Sequence, residues 1–246
     1  MRRVELETRN FMPQNPPDNH ATTPQVAGDQ VAQVPGAGLL RRWLTFLFGN
    51  WVMSVGIALS IHGQLGTAPI STFPAVLDAA TSLTVGFVTV LMNIVFVLLQ
   101  ILILRRRFKA FQLVQFPIAV LFGTLIDLSV YLTSWVQPDH YLMQWVVTII
   151  GALILGIGVY IQIQPKLLYL PGEGVVMALT QVTSVRFGTM KQLVDWSLVI
   201  ISAVLSLILL QRLENVREGT VFAAFAVGAV VKAIERFRNR HTSSAA

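Results

Sequence analysis

The chain has 246 residues, 54% apolar and 12% charged, with no cysteine and a formal net charge of +6. An ordinary soluble domain is about 25% charged, and here the charges leave several bilayer-length stretches untouched, so the class is a polytopic membrane protein. The lack of cysteine excludes disulfide scaffolds, thiolate metal sites and thiol nucleophiles, and cations gathered at the ends of apolar runs, not among aromatics, exclude a nucleic-acid surface.

Residues 1–38 carry Pro13, Pro16, Pro17, Pro24 and Pro35 among polar residues and no apolar run. Such a segment cannot bury enough surface to offset its ordering entropy, which predicts a disordered tail. Arg2 and Arg3 are not followed by an apolar h-region, so the first span is expected to act as an uncleaved insertion signal.

A window of about 19 residues finds spans at 43–62, 84–104, 112–134, 141–163, 190–210 and 217–233, the last weakened by Gly219, Gly228 and Lys232. Pro69–Ala80 and Gly172–Ser184 are apolar but too short to cross about 30 Å at 1.5 Å per residue. They are predicted to be re-entrant or interfacial half-helices.

Charge orients these spans. Arg41 and Arg42, the run Arg105 to Lys109, then Lys166, Arg186 and Lys191, and finally Arg236, Arg238 and Arg240 all fall on one side if six spans start from a cytoplasmic N-terminus. Loops 62–83 and 134–141 contain neither Lys nor Arg; only Arg212 and Arg217 face the other way. Eight full spans would put the Arg105 cluster outside, so six spans with both termini cytoplasmic is the expectation.

The same pattern runs through the chain twice. Gly66, Pro69, Gly86 and Asn93 find counterparts in the turn Pro171-Gly172-Glu173-Gly174 and in Gly188 and Asp195; Pro69 to Gly86 and Pro171 to Gly188 are each 17 positions, and the next steps are each 7. Gly56-Ile57 and Gly156-Ile157 precede them, and Gly123 to Asp127 aligns with Gly228 to Lys232. Three spans per copy is an odd number, so the copies enter the bilayer from opposite sides. The expected fold is an all-α polytopic membrane protein, an inverted 3+3 repeat of residues 39–136 and 137–236 with a disordered cytoplasmic tail at 237–246.

At Leu65-Gly66-Thr67-Ala68-Pro69 through Leu77, Gly123 to Asp127, Pro171 to Gly174, Lys191 to Asp195 and Gly219-Thr220, the chain resembles the YczE/YyaS/YitT group of bacterial integral membrane proteins, nearest its YczE-like branch. The likeness runs from about Arg41 to Arg236. It implies a bacterial inner-membrane location and brings no biochemistry with it. Ile70-Ser71 stands where that group usually has an aromatic-acidic pair, so an acid role at that position is lost.

Ionisable residues inside a membrane are functional candidates by default. Asp127 is a candidate for a cation or proton relay; capping a neighbouring half-helix, or pairing with Lys232, accounts for it equally. Glu173 opens the second half-helix, where a carboxylate is favoured by free N–H groups with or without a ligand. An open half-helix start would bind an anion, but Glu173 argues against a purely anionic ligand there. Lys191 and Asp195 are one turn apart and read first as an internal ion pair. Asn93, the counterpart of Asp195, would approach the pseudo-axis where such folds place substrate, or serve interhelical hydrogen bonding.

Small residues at Asn50, Ser54, Gly56, Ala58 and Ser60 suit close helix packing, His62 reads as a solvated interfacial histidine, and the five tryptophans read as belt anchors. The chain has no hydrolase, P-loop or zinc-protease motif, and four scattered histidines. A non-enzyme without cofactor or metal is expected.

The leading expectation is a small secondary transporter or channel for a small solute or ion, coupled to a cation or proton through Asp127 and Asp195. The site would sit between the half-helix starts Gly66, Pro69, Pro171 and Gly172. The alternatives are a substrate-capturing subunit of a multi-component transporter and a non-transporting scaffold or assembly factor. Small-residue faces serve dimerisation as readily as internal packing, so a homo-oligomer and a membrane partner subunit both stay open.

Overall fold

Proline and apolar runs set the elements. The computed structural model describes residues 36–243, and among these it holds eight α-helices, two short 3₁₀ turns and no strand. They are α1 (Gly36–His62), α2 (Pro69–Ala80), α3 (Val85–Leu104), α4 (Gln115–Leu132), α5 (Tyr141–Ile163), α6 (Pro171–Thr183), α7 (Phe187–Leu210) and α8 (Glu218–Ser243). The expected N-terminal tail lies outside the described residues except at its end, where α1 already begins at Gly36. At the other terminus α8 continues as helix to Ser243, past position 236 where a tail is expected.

Five segments are long and apolar enough to cross a membrane: Gly38–His62, Val85–Arg107, Ala110–Leu132, Tyr141–Ile163 and Phe187–Leu210. The chain is therefore an apolar, multi-helix integral membrane protein. The sixth expected span, α8, is long enough at 26 residues but is not among the five, its uncharged run being bounded by Glu218 and Lys232.

The two short segments form helices of 12 and 13 residues. Each starts on proline, whose fixed φ suits the first helical turn and whose missing N–H would have had no partner there. A short non-helical, mostly buried segment leads into each, residues 63–68 and 165–170.

The centre of the bundle is the antiparallel pair α1 and α5, drawn together by glycines. A Cβ at Gly49 would lie 2.5 Å from the Gln162 backbone nitrogen, one at Gly158 would lie 2.5 Å from that of Met53, and one at Gly151 would lie 2.8 Å from that of Ser60. Gly49, Gly56 and Gly63, and on α5 Gly151 and Gly158, recur every seven residues. In lipid, where no hydrophobic effect joins helices, such close backbone contact supplies the packing energy.

Around this pair the contacts run in parallel sets. α1 packs on α4 as α5 packs on α8; α2 packs on α7 as α6 packs on α3; α2 lies along α3 as α6 lies along α7. The set breaks at one place: α3 packs extensively on α4, while α7 and α8 scarcely touch. Accordingly 11% of the apolar window of α7 is buried, against 39–50% for the other four.

Candidate functional site

The two half-helix starts meet. Ile70, second residue of α2, places its Cδ1 where a Cβ on Gly172, second residue of α6, would stand, with Phe96 alongside. A larger residue at position 172 would have to displace the Ile70 side chain. The contact sits in an apolar cluster of Met92, Phe96, Val175 and Leu198, with Ile70, Phe73 and Val194 against it.

The shift of 102 positions that carries Pro69 onto Pro171 also carries Ile70 onto Gly172, Met92 onto Val194, Phe96 onto Leu198 and Gln100 onto Ser202. Polar contacts at the two starts follow it. Gln100 Nε2 donates to the Pro171 carbonyl at 3.1 Å and to Gln115 Oε1 at 3.0 Å. On the other side Thr72 Oγ1 donates to the Pro69 carbonyl at 2.7 Å and lies 3.1 Å from Ser202 Oγ. Gln100, Gln115, Thr72 and Ser202 are all buried, so each hydrogen bond replaces one that lipid cannot offer.

Beside the second start lies the ionisable group. Lys191 Nζ pairs with Asp195 Oδ1 on α7, as the four-residue spacing predicts. Glu173, in the first turn of α6, stands within electrostatic reach of both. Its Oε2 is buried with no hydrogen-bond partner. Tyr169, in the segment leading into α6, is the group's fourth member: burial, and then the Glu173 carboxylate, raise its phenol above the ordinary range. Two acids and one base thus share a half-buried site, leaving one carboxylate without a counter-charge.

Asp127 is elsewhere, near the opposite end of the bundle. Its Oδ1 accepts from the Gly86 N–H at 2.7 Å and its Oδ2 from Thr84 Oγ1 at 2.7 Å. It therefore caps the N-terminus of α3, a full span and not a half-helix, where free N–H groups and the helix dipole favour a carboxylate. Lys232 lies exposed on α8. Asp78, near the end of α2, is Asp127's neighbour: burial, then the Asp127 charge, push its acid up. Asn93 is buried on α3, one turn before Val97, and is not part of the Glu173 group.

Gly66 acts through α8. It holds φ +102°, a conformation glycine alone adopts cheaply, and a Cβ there would lie 3.0 Å from the Arg217 backbone nitrogen. The Gly219 N–H donates to the Leu65 carbonyl at 2.8 Å, so the motif Gly219-Thr220 grips the segment that leads into α2. On the opposite end Arg42 donates to the Pro165 carbonyl, tying α1 to the segment leading into α6. His62 is not simply solvated: its Nε2 donates to the Val130 carbonyl at 3.2 Å and fastens α1 to α4.

Sequence reasoning passed over Gln100, Gln115, Thr72, Ser202 and Asp78. For Gln100 and Ser202 the signal was available, because the Pro69-to-Pro171 shift pairs them; it carries Thr72 onto Gly174 and Gln115 onto Arg217 and so marks neither. Asp78 gave none, since its neighbour Asp127 comes from a different helix. Among the described residues no three His, Asp or Glu side chains gather as a metal-binding group.

The uncharacterized protein YyaS of Bacillus subtilis (strain 168) is 25% identical over 126 residues, 51% of this chain and 61% of that protein. The chain thus spans under two thirds of that relative. No solved structure matches. The family of unknown function DUF6198 matches residues 40–236, in keeping with the resemblance to the YczE/YyaS group, and the chain belongs to that family.

Proposed function

We propose that this protein is a small secondary transporter or channel of the bacterial inner membrane, an inverted 3+3 repeat whose solute passes the meeting point of the two half-helix starts. The observation that carries the reading is that meeting point: Ile70 against Gly172, with Gln100 and Ser202 at matched positions beside Pro171 and Pro69. Interrupted helices from two repeats that converge in mid-bundle are the usual architecture of a transport site. The coupling ion, a cation or proton, is taken up by Glu173 with Lys191 and Asp195; Asp127 holds α3 in place.

Purified protein in proteoliposomes tests this. A gradient-driven flux of a small solute or of protons, lost in Glu173→Gln with the protein still folded, is expected; no flux under any ion gradient sinks the reading. Orientation is tested separately, on a chain free of native cysteine. Asp139→Cys should react with an impermeant thiol reagent in intact cells and Phe108→Cys should not.

The exposed face of α7 favours a second reading, a membrane subunit that captures solute and leaves energy coupling to a partner. Co-purification of a nucleotide-binding subunit would select it over the first.

A further inference from the structure

Arg212 and Arg217 are the cations that break the charge asymmetry of the chain. Both line one cavity of about 600 Å³, with Ile61 and Gln64 at the end of α1, Asp78 from α2 and Asn215 from the segment joining α7 to α8. The wall is built, not loose. Asn215 Nδ2 donates to the Ala75 carbonyl at 3.0 Å, Ser206 Oγ binds the Arg212 carbonyl at 2.7 Å and the Glu214 N–H at 2.8 Å, and Arg217 Nη1 donates to the Gln64 carbonyl at 3.4 Å.

The charges in this cavity are only partly matched. Glu214 is taken by Arg212, and Arg217 reaches Glu218 with one nitrogen at 3.2 Å. A guanidinium has five N–H donors, so Arg217 keeps some for a ligand. Across the cavity Asp78 accepts from the Val85 N–H and has the Asp127 carboxylate, not a cation, as its charged neighbour. One wall therefore offers spare donors for a carboxylate and the other wants a cation, and the volume lies in the range of small-molecule sites. We propose that the cavity captures a small zwitterionic solute of α-amino acid size, its carboxylate on Arg217 and its ammonium on Asp78.

Passage of the captured solute across the membrane rests on the transport reading; its binding stands without that reading. The test is calorimetric titration of the detergent-solubilised full chain with alanine, propionate and ethylamine. Alanine should bind, and the two single-charge analogues should bind at least about tenfold more weakly, because each leaves one wall unmatched. Asp78→Asn and Arg217→Gln should each weaken alanine by at least about tenfold. Arg217→Lys should fold even if the glutamine variant does not, and should recover part of the affinity as a point charge without the planar fork. Alanine that fails to bind, binds no better than propionate or ethylamine, or binds Asp78→Asn as well as wild type would overturn the proposal. Binding without flux would leave this site standing and remove the transporter, whereas flux indifferent to Asp78→Asn would do the reverse.

Discussion

Gly86 and Gly123 bring α3 and α4 into backbone contact; Gly188 and Gly228, at the matching spacings on α7 and α8, face open space. A Cβ on Gly86 would overlap the Gly123 carbonyl oxygen, and one on Gly123 would lie 2.5 Å from that of Gly86, while a Cβ at Gly188 or Gly228 would meet nothing within 4 Å. The residue type is the same and the outcome opposite. Two residues of the contact differ: Arg186 stands where Thr84 does, and the residue four positions after the second glycine changes. Asp127 accepts the Gly86 N–H and the Thr84 hydroxyl and so latches α4 onto the positive end of α3. Lys232 stands at the matching place on α8, and a cation is repelled by a helix N-terminus. A glycine permits close approach; in the first half a carboxylate beside it holds that approach, and in the second half a cation stands at the matching position. In the transport reading this makes the first half the closed one and the second half the one free to move.

The largest expected effect comes from filling the contact. Gly86→Leu or Gly123→Leu should destabilise by about 3 kcal/mol or more, because two packed backbones must separate, whereas Gly188→Leu and Gly228→Leu should stay within about 0.5 kcal/mol. Thermal melting in detergent measures both. If α7 and α8 close on one another during transport, the second pair will instead lose flux while melting normally. Equal destabilisation in both halves would break the comparison.

Next is the latch. Asp127→Ala removes the acceptor of two hydrogen bonds and should cost about 1–3 kcal/mol, while Asp127→Asn should keep most of that, since asparagine caps helices as well as aspartate. An Asn variant that melts normally yet carries no flux would return Asp127 to the coupling role that the sequence suggests for it.

The subtlest test moves the latch across. With Gly188→Cys and Gly228→Cys in place, a short bifunctional reagent should cross-link poorly beside Lys232 and more readily after Lys232→Asp. No change on charge reversal would mean that something other than this charge keeps the helices apart.

Much of the fold was legible. Apolar runs and the length of a bilayer pick out six spans, five of which the structure returns as helices long and apolar enough to cross, and proline defines the starts Pro69 and Pro171. The capping of α3 by Asp127 was visible only as one option among three, because a carboxylate in an apolar run has the same sequence signature whether it caps, pairs or binds. The Glu173 group was half legible: Lys191 and Asp195 are one turn apart on one helix, but Glu173 joins them from another.

The sequence by itself determined that this chain is built of apolar helices suited to lipid and that two short helices start on Pro69 and Pro171, since hydropathy and proline are local properties of the chain. Only the tertiary structure decided which of two equivalent glycine pairs makes contact, which acid keeps a free oxygen and that Asp78 and Arg217 share one cavity. Those outcomes depend on charges from helices far apart in sequence, and electrostatic interaction acts through distance in space, not through position along the chain.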